Sequence, residues 1–357
     1  MKIETEQKTF PMYIGVDIFP KLGEIYQIYG YGRHALLVAD ERLKDNFGEL
    51  LCLEFGKKNI ELTRVTVSEK LIEGGMHSIS EMTRLFLSAG LKSGDTVVSM
   101  GGSRLLHFVG FAAGLIHGGV QLIEVPTSLV AQVVTSTNTS HRLNFDSMPE
   151  LLRVDGKVNL VWSDVAFLKT LPDPHFIAGL GYILKYACLI KNGLFEFMES
   201  QIERILKKDL DLIEEIVHRS CETQNTLVRN HRKDRSVLLR TRFGDDTSRI
   251  LRDVAHPSIR YGEALFFGML IDVVIAYKLG IFSGRDFERY YEILKRFPLQ
   301  YLLDRIQGED LLRAVSARLN TETNYTLPLP KEIGDFVQDS PVQLADYEYA
   351  INLIFAE

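Results

Sequence analysis

The chain has 357 residues, 46% of them apolar, with 47 acidic side chains against 41 basic ones and a formal charge of −6. That balance supplies no broad positive field for nucleic acid or anionic lipid, and the apolar content is that of a folded globular protein of about two domains. Cys52, Cys188 and Cys221 lie far apart with no CxxC spacing, which speaks against a disulfide framework or a structural zinc knot.

The first residues, MKIETEQKTFPMYIG, show no basic segment followed by an apolar one, as a secretory leader would. The apolar run Ala264–Ala276 is interrupted by Gly268 and Asp272 and is too short to span a bilayer. A soluble cytoplasmic protein is expected, with no nucleic-acid or membrane partner.

The first 130 residues alternate between strand and helix patterns. His34–Ala39 is an apolar run closed by Asp40, and Leu43–Phe55 follows with helical spacing. Leu62–Val67 is a second strand. Met76–Leu91 then places Ile79, Met82, Leu85 and Phe86 close to a 3.6-residue period. Asp95–Met100 is a third strand, followed by Gly101-Gly102-Ser103 and an apolar helix to about Leu115. Val120–Val125 is a fourth, closed by Pro126-Thr127-Ser128. Alternation at this pitch predicts a Rossmann-like parallel sheet with right-handed crossovers. The 130–165 region is mixed, and its polar run Thr135–Asn144 reads as loop. From about Asp173 the pattern becomes helical: Phe176–Asn192, Leu194–Val217, Ile259–Leu279 and Phe287–Arg296. The expected architecture is therefore an α/β domain over residues 1–172 and an all-helical domain over 173–357.

Ligands of open parallel sheets bind at the carboxyl ends of the strands. Asp40 there offers a carboxylate to a ribose or adenine. Gly101, Gly102 and Ser103 offer bare backbone and a helix N-terminus to a pyrophosphate, and Thr127 and Ser128 add two hydroxyls. The plainer reading, that these residues make tight turns and helix caps, stays open. His141, His175, His231 and His256 show no paired metal-ligand spacing. The run His231-Arg232-Lys233-Asp234-Arg235 reads as a solvated loop.

Longer motifs add a resemblance. VVSMGGSRLLHFVGFAAGLIH (97–117) followed by VPTSLVAQV is similar to the GGGxxGDxxGFxAA … PTTLLAQxDSS run of 3-dehydroquinate synthases. The segment Ser163–Pro172 resembles that family's DxxxLxTLP, AGLGYILKY (178–186) its AGLAEVIKY, and YGEALFFGM (261–269) its HGEAVAxGM. The blocks occur in family order across roughly residues 10–335. The resemblance implies sugar-phosphate cyclases: an NAD-binding α/β domain, a helical domain, a site in the cleft between them, NAD+ and zinc as cofactors, and a homodimer. It further implies that Thr170 and Leu171, with Gly101, Gly102, Ser103, Thr127 and Ser128, belong to the dinucleotide framework.

At the positions that the resemblance assigns to chemistry, the sequence departs from the family pattern. The three zinc ligands, one Glu and two His, fall at Tyr182, Asp245 and Tyr261. Phenols suit zinc poorly at neutral pH, so no metal ligand is assigned in this chain. The GGKTG lysine is missing from Asn138–Arg142, the DxxGF aspartate falls at His107, and other anion-binding positions become Gln224, Leu238, Arg242 and Arg249. Lys185 and Glu263 match the family. An arginine-built anion pocket from Arg229, Arg232, Arg235, Arg240 and Arg242 is a further alternative.

Three functions follow as expectations. The first is a diverged, non-catalytic homologue that binds a small, phosphorylated ligand or pairs with a paralogous enzyme. The second is an enzyme of new specificity using Lys185, Tyr182, Asp245, Tyr261 and Glu263 as acid–base groups. The third is a working 3-dehydroquinate synthase with unusual ligands. NAD+ is the one cofactor expected in any of them; Asp40, Gly101, Gly102 and Thr127 favour it, while His107 and the missing lysine count against it.

Overall fold

In the computed structural model the apolar runs closed by Gly, Asp or Pro become strands of one sheet. Residues 1–4, 9–43, 45–138, 140–146, 148–155, 158–231, 237–321 and 324–355 are described. They fall into two units, Met1–Leu171 and Pro172–Glu357. Arg232 and Arg235, named above, lie outside the described residues.

The first unit contains β1 (Lys2–Glu4), β2 (Thr9–Gly15), β3 (His34–Asp40), β4 (Glu61–Val67), β5 (Thr96–Gly101), β6 (Gln121–Pro126), β7 (Ser140–Phe145), β8 (Met148–Asp155) and β9 (Val158–Asp164). Seven of them form a sheet in the order β1-β2-β9-β6-β5-β3-β4, parallel except for the β1–β2 pair. The four expected strands are its centre and one edge. The strands β2 and β9 were not anticipated. Asp164, at the end of β9, ties them to the next turn by accepting from the amides of Phe19 at 2.7 Å and Asp17 at 3.0 Å.

Alternate residues of the central strands face opposite sides. Leu37, Val98, Met100, Ile123, Val125, Leu160 and Trp162 pack with Phe19, Leu22, Tyr26, Leu51 and Phe55 as one apolar layer. The other face carries Ser99, Glu124 and Val161 in register, with Ser163 two residues further along β9.

The polar run expected as loop is instead a short 3₁₀ turn (Thr135–Thr137) followed by β7, which pairs antiparallel with β8. Its residues alternate, with His141 and Leu143 buried and Arg142 and Asn144 exposed. The inward residue is an imidazole rather than an aliphatic side chain, so the pattern did not register as hydrophobic.

The second unit is helical, with one added hairpin, β10 (Thr326–Glu332) and β11 (Asp335–Pro341). The expected Leu194–Val217 stretch is two helices, Leu194–Leu206 and Leu210–His231. Lys208 adopts a left-handed φ of 59° between them, and the Asp209 carboxylate accepts backbone hydrogen bonds from Asp211 and Leu212 as a cap. Apolar periodicity carries across Lys207-Lys208-Asp209 and hides the break. Among the described residues no helix is long and apolar enough to cross a membrane.

The helix Tyr261–Lys278 is buried continuously from Gly262 to Ala276, as expected of a segment apolar on every side. It meets the helix Asp173–Leu189 backbone to backbone. A Cβ on Gly262 would fall on the Ala178 carbonyl oxygen, and one on Gly181 would fall on the carbonyl oxygen of Gly262. Neither obstacle is a flexible side chain, so Gly262→Ala should destabilise the fold by ~3 kcal/mol or more, as overpacking does. Gly56→Ala, in a helix with open space around it, should be neutral or stabilising. Urea denaturation of both variants checks this; equal stability would refute the backbone-contact argument.

Candidate functional site

The close approach at Gly181 and Gly262 sets Tyr182 and Lys185, on one helix, against Tyr261, on the other. The third contributor is Asp245, first residue of the helix Asp245–Val254. Gly244 precedes it with φ +74°, a conformation favouring glycine, and its amide donates to Asp272 Oδ2 at 2.8 Å. Thr247 Oγ1 donates to the other oxygen of Asp272 at 2.7 Å. Asp272 is fully buried and burial pushes its carboxyl up to about 7, against the pull of those hydrogen bonds. It thus anchors the turn that aims Asp245.

Lys185 Nζ donates to Asp245 Oδ1 at 2.5 Å, and the Tyr261 hydroxyl donates to the same oxygen at 2.6 Å. The Tyr182 and Tyr261 rings stand 5.9 Å apart. Burial lowers Lys185 from the usual ammonium range and Asp245 pulls it back. Burial first, and then the Asp245 charge, hold the Tyr261 phenol well above its usual value, so it is a donor. Arg249 is near enough for its charge to act on both Lys185 and Tyr261, and the Arg252 guanidinium lies over the Tyr261 ring at 5.7 Å. Of the acid–base residues named from sequence, the structure therefore joins Lys185, Tyr182, Asp245 and Tyr261. Glu263 is employed elsewhere: its carboxylate caps its own helix by accepting from the Arg260 amide at 2.7 Å, and accepts the Tyr301 hydroxyl at 2.6 Å.

In the first unit the expected cofactor residues collect at the carboxyl edge of the sheet. The Thr127 amide donates to the Gly101 carbonyl at 2.9 Å, which locks the ends of β5 and β6 together. Gly102 precedes the helix Ser103–Leu115 in extended conformation, and a Cβ on it would stand 3.5 Å from Ser128 Oγ. Ser128 caps the following short helix through the Ala131 amide at 3.3 Å. The Ser103 hydroxyl oxygen is buried without a hydrogen-bond partner. Thr170 is exposed and donates to the Phe167 carbonyl at 3.1 Å, in the 3₁₀ turn that ends at Leu171. Asp40, at the end of β3, is engaged by Arg42: its Oδ1 accepts from the Arg42 amide at 3.0 Å and Nε at 2.9 Å, and its Oδ2 from a terminal guanidinium nitrogen at 2.5 Å.

Sequence reasoning missed a second polar cluster. Glu124 in β6 and His141 in β7 are fully buried, with Oε1 and Nδ1 3.8 Å apart, too far for a hydrogen bond between them. Gly110 is needed here, because a Cβ on it would enter the His141 ring. The hydroxyls of Ser99 and Ser163 are buried and unpartnered, and that of Ser136 faces Glu124. A carboxylate in the middle of the apolar run QLIEVP was the available signal. Burial pushes Glu124 up to about 8, against a smaller opposite pull from nearby Ser136, and pushes His141 down to about 3. Both are therefore neutral near pH 7.

Comparison with known proteins gives a consistent result. The family profile described as 3-dehydroquinate synthase N-terminal matches residues 65–178, and its C-terminal counterpart matches 179–318. A 3-dehydroquinate synthase of Thermoanaerobacter sp. (strain X514) is 25% identical over 335 residues, covering 91% of this chain and 93% of the relative. That of Thermodesulfovibrio yellowstonii is 24% identical over 361 residues, covering 99% of each. Among solved structures, a 2-deoxy-scyllo-inosose synthase complexed with carbaglucose-6-phosphate, NAD+ and Co2+ superposes with a TM-score of 0.86 at 16% identity, over 98% of both chains. The 2-epi-5-epi-valiolone synthase ValA of Streptomyces hygroscopicus, with NAD+ and Zn2+ bound, does so at 0.82 and 20% identity, over 99% of this chain and 98% of that one. At these identities the structural likeness establishes the fold.

The Glu124–His141 pair makes a signed pH prediction. Folded Glu124 stays protonated up to about 8 while the unfolded carboxyl ionises above 4.5, so its contribution to stability falls as pH rises through that window. Folded His141 stays neutral down to about 3 while the unfolded imidazole protonates below 6.5, so its contribution falls as pH drops from 6.5. The two slopes oppose each other between 4.5 and 6.5, and above 6.5 only that of Glu124 remains, at up to ~1.4 kcal/mol per pH unit. Glu124→Gln should therefore gain stability relative to the parent as pH rises from 6.5 to 8 in chemical denaturation; a pH-independent difference would refute the neutral, buried carboxyl.

Proposed function

The chain belongs to the 3-dehydroquinate synthase family, and from that premise we propose that it is a homologue without the zinc-dependent cyclase reaction, binding a small anionic, phosphorylated ligand in its helical unit. The observation that carries this reading is the placement of Lys185 Nζ on Asp245 at 2.5 Å, with the Tyr261 hydroxyl on the same oxygen. By the resemblance of motifs, Tyr182, Asp245 and Tyr261 occupy the three metal-ligand positions. The lone carboxylate there already balances an ammonium, and the Tyr261 phenol is held protonated. A divalent cation would have to displace Lys185 and deprotonate a phenol, whereas zinc favours imidazole, thiolate and free carboxylate. The donor set does not fit zinc, and no step is assigned to it.

The same geometry supports an anionic ligand. Arg249 and Arg252 stand beside Tyr261, and Arg249 is 68% exposed, with only a long contact to Asp246 at 3.9 Å among the described residues to compete for it. Guanidinium groups bind phosphate and carboxylate by paired hydrogen bonds.

The second reading, an acid–base enzyme of new specificity, is favoured by one observation. Burial lowers Lys185, the direction in which a lysine becomes a proton acceptor, beside a phenol that can donate.

Three measurements separate the readings. Protein purified without chelator should hold zinc well below one per chain; one tightly held zinc ion per chain would overturn the first reading. Titration with a sugar phosphate should show binding that Arg249→Ala weakens by about tenfold, the value of one charge-assisted contact, and an unchanged affinity would remove the anion-site assignment. If the protein turns over a substrate by the second route, Tyr261→Phe should abolish the rate, while an unaffected rate would exclude that residue from proton transfer.

A further inference from the structure

The NAD+ bound by the solved neighbours is a group this chain fits only in part. The phosphate end is provided for by Gly101, Gly102, Ser103 and the first turn of the helix Ser103–Leu115. The ribose end is not. An acidic side chain at the end of a Rossmann-type strand recognises adenosine by accepting hydrogen bonds from the ribose hydroxyls. Here both oxygens of Asp40 accept from Arg42, three hydrogen bonds in all, and burial leaves the carboxylate only 6% exposed.

Arg42 is itself held in place. Its other terminal nitrogen stands 3.0 Å from Glu69 Oε1, the same oxygen accepts from Arg104 at 2.6 Å, and Arg104 also pairs with Glu73. Three carboxylates and two guanidinium groups thus form one chain across the ends of β3 and β4 and the start of the helix after β5. It carries a net charge of −1 (three negative, two positive). The arginines answer to carboxylates of this chain, and the residual charge is negative, so a 2′-phosphate is not what this edge is built to receive. Burial works to raise Asp40, and Arg42 overcomes it, so the carboxyl ends below its usual range.

We propose that Arg42 is the specificity-determining residue of this sheet edge: its guanidinium fills the hydrogen-bonding positions on Asp40 that the ribose hydroxyls of an adenosine ligand would take. The proposal rests on the dinucleotide part of the family reading, since it needs the phosphate end of the cradle to be functional. It predicts a protein that grips the pyrophosphate of NAD+ and leaves the adenosine ribose unread. Removing the guanidinium frees both oxygens of a carboxylate at the end of β3, with Glu69, the other partner of Arg42, as a second acceptor.

Isothermal titration calorimetry with NAD+ and NADP+ on the full chain tests this. Arg42→Ala should bind NAD+ at least tenfold more tightly than the parent protein, and Asp40→Asn introduced into that variant should cancel the gain. Arg42→Ser serves in its place if the alanine variant does not fold, as judged by thermal unfolding. Equal NAD+ affinity in parent and variant overturns the role of Arg42 and leaves dinucleotide binding standing. Tighter binding of NADP+ than NAD+ by the parent, lost in Arg42→Ala, also overturns it, because the guanidinium would then read a phosphate. Absence of heat with either nucleotide at millimolar concentration, in parent and variant alike, overturns the dinucleotide reading and the inference with it.

Discussion

A buried ammonium and the carboxylate opposite it, Lys185 and Asp245, impose the constraint around which the helical unit is arranged. The ammonium is buried and the carboxylate half-buried, so it is Lys185 that most needs its partner: losing Asp245 would leave an uncompensated buried charge, a loss that typically costs about 3–5 kcal/mol. The remaining features of the site serve that pairing. Glycines at 181 and 262 let two helix backbones touch, which brings Lys185 within reach. Asp272 anchors the Gly244 turn, which aims Asp245. Tyr261 then uses the carboxylate's spare acceptor capacity. A metal centre demands a different economy, in which several neutral or anionic donors converge on one external cation. The cation that faces Asp245 here is Lys185, a side chain of the protein.

A second internal ion pair stands at the edge of the sheet in the first unit. Asp40 stands at the expected strand end, and its carboxylate is answered by Arg42 two residues later. In both places charged side chains of the protein bond to each other. Packing constraints act on the glycines and the apolar layers whether or not a ligand is bound.

How much of this was legible in the sequence divides along the same line. The strands β3 to β6, the turn after β5 and the long buried helix could be read because their signals are local: apolar runs, a Gly-Gly-Ser turn, periodicity. The four residues that the helical unit brings together, Tyr182, Lys185, Asp245 and Tyr261, could also be named, since they fall within recognisable motifs. Three features could not. The Arg42–Glu69–Arg104 chain joins residues from three elements, and no spacing rule links them. Glu263 sits in a motif beside Tyr261, yet serves its own helix terminus and Tyr301. The strand β7 turns inward through an imidazole whose partner, Glu124, is seventeen residues upstream (141 − 124) in another strand.

Gly110 and His141 are tied together by that last arrangement. The imidazole occupies the space above the helix where any side chain at position 110 would begin, so neither site can drift alone. A bulkier residue at 110 becomes acceptable only after 141 has shrunk, and shrinking 141 first strands the acid at 124 beside a void. Mutational paths out of this corner must pass through a less stable intermediate, which makes the trio a point of epistasis and keeps an otherwise costly polar pocket in place.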